Sequence, residues 1–150
     1  MLEKILLGVL FVGILFAISV VDIKKQIIPD HLLMIAVVVR IGYFVLIEGV
    51  GVKSALGLLW NGLAISLPLL CMVLLAEKRW KRELLGGGDI KLLFVTGIYL
   101  GWERNLWALF IACLIGIGMG VMQRKKEEKD RYFPFGPALS IGAVCAMLIG

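Results

Sequence analysis

Residues 5–22 read ILLGVLFVGILFAISVVD, an apolar run interrupted only by Ser19 and closed by a carboxylate, Asp22. A run of this length matches a helix that crosses the hydrocarbon of a bilayer, which takes about 20 residues with some tolerance. Charge clusters divide the rest of the chain into five more such segments, near His31–Ile47, Ser54–Ala76, Leu84–Trp102, Leu106–Met122 and Pro134–Gly150. Each is long enough on this count to cross. A backbone in lipid must satisfy its own hydrogen bonds, so continuous apolar runs span as helices. The expected fold is therefore all-α: a polytopic membrane helical bundle of six transmembrane helices, forming a single domain over residues 1–150.

Composition agrees. The chain is 61% hydrophobic with a mean hydropathy of +0.98, whereas a globular domain is about half apolar. The excess must face lipid, and no separate water-soluble domain fits between the segments. A cleavable signal peptide is rejected for the N-terminus: its first residues are hardly basic, more apolar spans follow, and cleavage after Ser19 would leave Asp22 at a free end. Cys71, Cys113 and Cys145 lie singly inside apolar stretches and are read as packing residues. His31, the only histidine, has no metal-ligand companion, and no metal or cofactor is expected.

Lys and Arg fall unevenly between the two sets of connections. Connections one, three and five carry Lys24, Lys25, Lys78, Arg79, Lys81, Arg82 and the basic residues of 124–131, while the opposite side carries only Lys4, Lys53 and Arg104. The positive-inside rule then places the first set in the cytoplasm and both termini outside. The net charge of +5 is accordingly read as topology and attraction to anionic lipid, with no nucleic-acid partner. The charged run 123–131 is a solvated cytoplasmic loop on this reading.

Two carboxylates carry the chemistry. Asp22 ends the first run at the cytoplasmic interface. Asp89 follows Gly86-Gly87-Gly88 several residues into the fourth segment, where three glycines indicate an irregular backbone leading into a helix, tolerated at depth only beside protein or a wet cavity. An aspartate at mid-span costs about 2.5 to 3.5 kcal/mol and less near the ends, so two of them need a reason. The topology sets both at cytoplasmic helix ends, where they can meet across one cleft. Facing carboxylates cannot easily both ionise and so share a proton. The ionised partner takes a proton from water attacking a peptide carbonyl, and the protonated one donates to the carbonyl oxygen. That is aspartic-protease chemistry.

Each acid also has a plainer reading. Asp22 alone is an interfacial residue balanced by Lys24 and Lys25; Asp89 alone is an N-cap for a helix beginning at Ile90. A phosphate loop is a poor fit to Gly-Gly-Gly-Asp, because no strand precedes it and no Lys-Ser/Thr follows. Asp30, after Pro29, is expected to cap the second helix. Lys91 should point away from the face of Asp89 and either snorkel or touch substrate. Arg40, inside the second segment, has no partner that the sequence identifies.

Taken together, Asp22-Ile23-Lys24-Lys25-Gln26-Ile27-Ile28-Pro29-Asp30, Gly86-Gly87-Gly88-Asp89-Ile90-Lys91-Leu92 and Pro134-Phe135-Gly136-Pro137-Ala138-Leu139 resemble the type IV prepilin peptidases, bacterial members of the GxGD aspartyl proteases. The three motifs come in family order across almost the whole chain. The resemblance implies that Asp22 and Asp89 are the catalytic pair and that Gly86, Gly87, Gly88 and Lys91 support the second aspartate. It also implies that the stretch with Pro134, Gly136 and Pro137 lines the site. The implied substrate is a prepilin or pseudopilin, cut at the cytoplasmic face of the inner membrane between a short basic leader and the hydrophobic helix. Longer members carry a cysteine-bearing cytoplasmic region and an N-methyltransferase activity to which nothing here corresponds, so a peptidase-only form is expected. Asp30 stands where Asn is commoner. Two other function classes fit the acids less well: a small proton-coupled transporter or channel subunit using them as a relay, and a non-catalytic assembly subunit.

Overall fold

The computed structural model describes residues 2–49, 51–81, 86–124 and 135–149. The elements are α1 (Leu2–Lys25), α2 (Asp30–Tyr43) continued by a π-helical turn at Phe44–Glu48, α3 (Val52–Trp80), α4 (Gly87–Leu100), α5 (Trp102–Arg124) and α6 (Phe135–Ile149). Among the described residues, four spans are long and apolar enough to cross a membrane: Leu2–Lys25, Asp30–Glu48, Val52–Trp80 and Trp102–Met119. Their outer faces carry exposed Phe16, Leu46, Met72, Leu75, Trp107 and Ile117. Such a surface is a liability in water and an ordinary one in lipid. The protein is a helical membrane bundle.

The buried residues of α1 are Gly8, Phe11, Leu15, Ile18 and Asp22. They recur every three or four positions, the period of one helix face. Asp22 therefore continues the core stripe instead of turning to solvent. α1 packs against α2 and α6, whereas α4 packs against α2, α3, α5 and α6 and is the centre of the bundle. Its buried residues run around the helix, from Ile90 through Leu92, Leu93, Val95 and Thr96 to Ile98, as befits a helix with protein on most sides.

Small residues set the close crossings. A Cβ on Gly97 would lie 3.0 Å from the Gly62 Cα and against the Asn61 carbonyl, so α3 and α4 meet backbone to backbone. A Cβ on Gly142 would run into the Ala108 carbonyl oxygen, which brings α6 onto α5. Lipid supplies no hydrophobic drive between helices, so this intimate van der Waals contact is what holds such pairs together.

Four sequence expectations change. The fourth and sixth segments are not full spans among the described residues: α4 has 14 residues and α6 has 15, about 21 and 23 Å at 1.5 Å per residue, against about 30 Å of hydrocarbon. α4 is enclosed by longer helices. The break after it falls at Gly101, whose φ of +84° suits glycine, and α5 starts at the next residue. Asp30 does not cap α2: the N-cap is Pro29, with no side-chain cap bond, and Asp30 is the first helical residue. Cys71 and Cys113 are exposed on the outer surface instead of packing inside.

Arg40 finds its partners in the fold. Its Nε donates to the Ile98 carbonyl at 2.9 Å, one of the last four carbonyls of α4, which lack intrahelical donors. Its guanidinium lies 3.1 Å from Glu48 and 5.6 Å from the centre of the Tyr43 ring. A cation at a helix C-terminus also suits the helix dipole.

Candidate active site

Asp22 sits one turn from the end of α1, 4% exposed. Its Oδ2 accepts the backbone N–H of Gly136 at 3.1 Å. Gly136 lies in the first turn of α6, where backbone N–H groups have no intrahelical acceptor and the helix dipole favours an anion. A Cβ at Gly136 would collide with the Asp22 carboxylate. Glycine is thus required for the approach. Pro137 follows, buried, and its missing N–H costs nothing in a first turn. The backbone of Asp22 is held as well: its carbonyl accepts Gln26 N–H at 2.7 Å, with Gln26 in the left-handed region at φ +54°.

Asp89 lies in the first turn of α4, its N–H donating to the Gly86 carbonyl at 3.0 Å. The helix begins at Gly87, not at Ile90, so Asp89 is inside it and is not its N-cap; Gly86 is. None of Gly86, Gly87 and Gly88 has positive φ; Gly86 is extended and leads into the helix, while Gly87 and Gly88 are already helical, so of the three glycines only Gly86 is non-helical. Their smallness matters at two places. A Cβ on Gly88 would come within 3.0 Å of Ile28, and one on Gly86 within 3.4 Å of the Asp89 Oδ2; one on Gly87 would meet open space.

Asp22 and Asp89 stand on α1 and α4, whose backbones do not pack on each other but each pack against α2 and α6. Further along, the Phe11 and Tyr99 rings stack across the two helices with centroids 3.9 Å apart.

Lys91 points away from this pair, as helical geometry requires, and its Nζ bonds Asp30 Oδ1 at 2.8 Å. Both side chains are mostly exposed. A cavity of about 410 Å³ opens between α2, α3 and α4, apolar apart from Ser66 and this ion pair, and neither aspartate lines it. Pro134 lies outside the described residues. Residues that sequence reasoning missed are Ile28, which covers Gly88, and a fully buried polar pair: Thr96 Oγ1 donates to Asn105 Oδ1 at 2.7 Å, and Asn105 Nδ2 to the Leu93 carbonyl at 3.0 Å. The signal for the pair was Thr96 alone, a polar residue inside the fourth apolar segment, since Asn105 falls in the short charged connection that follows.

The fold defines an integral membrane protein, a helical bundle with Asp22 and Asp89 on two of its helices. The model of the type IV leader peptidase family matches residues 9–121, and the chain belongs to that family. It is 29% identical, over 91% of its length and 47% of the relative's, to a prepilin leader peptidase/N-methyltransferase of Stutzerimonas stutzeri. Proteins of the same name from Aeromonas hydrophila (28%, covering 97% of this chain and 50% of the relative) and Escherichia coli strain K12 (31%, covering 93% and 62%) are similar too. The chain spans about half the length of the curated relatives that it matches first, 47 to 50%. No solved structure matches it.

Proposed function

We propose that this chain is an aspartyl endopeptidase that removes the basic leader from type IV prepilins or pseudopilins at the cytoplasmic face of the inner membrane. The observation that carries the reading is that Asp22 and Asp89 stand on α1 and α4, two helices that share the neighbours α2 and α6, in a chain of this family. Asp22 acts as the ionised base, because the Gly136 N–H and the α6 N-terminus favour negative charge there. It takes the proton of a water that attacks the scissile carbonyl while Asp89 donates its proton to the carbonyl oxygen; on collapse the C–N bond breaks, Asp22 passes its proton to the leaving nitrogen, and Asp89 recovers a proton from the hydroxyl that becomes the new carbonyl. The open space over Gly87 gives an extended substrate backbone room to approach.

On this reading the 150 residues form one integral membrane peptidase domain. Both termini lie outside, and the ends of α1 and α2 that flank residues 26–29 face the cytoplasm, as the Lys and Arg distribution requires. The names of the relatives, prepilin leader peptidases, support the substrate class. The test is to incubate the purified protein in detergent with a full-length prepilin and determine the product's new N-terminus by mass spectrometry. One cut between leader and hydrophobic helix is the expected result; an intact prepilin would overturn the proposal.

A further inference from the structure

Asp30 and Lys91 form an ion pair that joins the two chain segments carrying the candidate catalytic acids. Asp30 follows Asp22 by the short linker 26–29, and Lys91 is two residues past Asp89. Their contact, Nζ to Oδ1 at 2.8 Å, is not alone. Ile28, in that linker and 8% exposed, packs over Gly88, where an added Cβ would meet its Cβ at 3.0 Å. The linker and the first residue of α2 therefore meet the start of α4 at two points, one apolar and one ionic, in a place where the backbones of α1 and α4 do not pack on each other.

We infer that Asp30 and Lys91 are positioning residues, which with the Ile28–Gly88 contact form a clip that sets the separation of Asp22 and Asp89. Neither touches the reacting atoms. An exposed ion pair does little for global stability, but catalysis is far more sensitive to placement: a shift of about 1 Å can cost about 10²-fold. The clip acts where that sensitivity is greatest. The inference rests on the peptidase reading for its kinetic consequence and on geometry alone for its structural one.

Two measurements separate these. In the first, Asp30→Asn and Lys91→Gln are each expected to lower kcat about fivefold, the effect of losing about 1 kcal/mol of pairing, with KM unchanged. Because both remove the same contact, the double variant falls no further. Asp30→Glu and the reversal Asp30→Lys with Lys91→Asp restore most of the rate. Multiplying effects, or a rise in KM at constant kcat, would overturn the inference. In the second, Ile28→Cys and Gly88→Cys are combined in a chain with Cys71, Cys113 and Cys145 changed to Ala, and disulfide formation is timed under mild oxidant. The bond is expected to form readily and to slow about fivefold when Asp30→Asn is added, again the effect of about 1 kcal/mol; an unchanged rate would overturn the clip. This arm needs no catalysis, so a protein that cleaves no prepilin yet shows the slowed cross-link keeps the clip and loses the peptidase reading.

Discussion

The backbone N–H of Gly136 donates to Oδ2 of Asp22 at 3.1 Å across 114 positions of sequence. A helix start from one end of the chain thereby holds a carboxylate from the other, and the contact exists only because residue 136 has no side chain.

Gly136→Ala keeps the donor but forces the Asp22 carboxylate to move. Hydrogen bonds to charged groups contribute about 1.5–3 kcal/mol, so prepilin cleavage should fall about tenfold to a hundredfold. Ser140→Ala, one turn further along α6 at a buried hydroxyl without a hydrogen-bond partner, should leave the rate unchanged. Initial rates on one prepilin at equal enzyme concentration check both. Equal rates for Gly136→Ala and the unaltered chain would remove Gly136 from the site.

Gly97→Val should disrupt the crossing of α4 with α3, because the added atoms meet Asn61 and Gly62 backbone, which cannot rotate aside as a side chain does. Overpacking of this kind costs about 1–3 kcal/mol. Reversible unfolding in mixed micelles, followed by circular dichroism, measures it. Stability equal to that of the unaltered protein would mean that the crossing is looser than described.

Asn105→Leu removes a buried side chain that ties α5 to α4 through Thr96 and the Leu93 carbonyl. Side-chain hydrogen bonds between membrane helices average about 0.6 kcal/mol and reach about 1.7, so the Thr96–Asn105 coupling should lie in that range. The double-mutant cycle of Thr96→Val with Asn105→Leu isolates it. Strictly additive effects would show that the bond contributes nothing.

Particular residues show what the sequence could reveal. Asp22 and Asp89 stood out because charge inside an apolar run is expensive, and that cost is visible without coordinates. The all-helical bundle followed from the same hydropathy. The length of α4 did not: past Asp89 and Lys91 the segment runs apolar, broken only by Thr96, to Trp102, and nothing in its hydropathy shows that it divides at Gly101 with longer helices around it. The support of Asp22 by Gly136 was hidden because its donor is a backbone N–H, which leaves no trace in side-chain pattern. Asp30 and Lys91 were each read alone, one as a cap and one as a snorkelling group. Their bond depends on how the α1–α2 linker lies against α4, a relation between segments that periodicity within either does not contain. Arg40 was opaque for the same reason, since one of its partners is the carbonyl of Ile98.

The paired-carboxylate account is tested most directly by the cleavage rate of a purified prepilin with Asp22→Asn and with Asp89→Asn, each confirmed as folded by an unchanged circular dichroism spectrum. General acid and base groups contribute about 10²–10⁴-fold, so each variant should lose at least that lower factor. A normal rate from either variant would contradict the account.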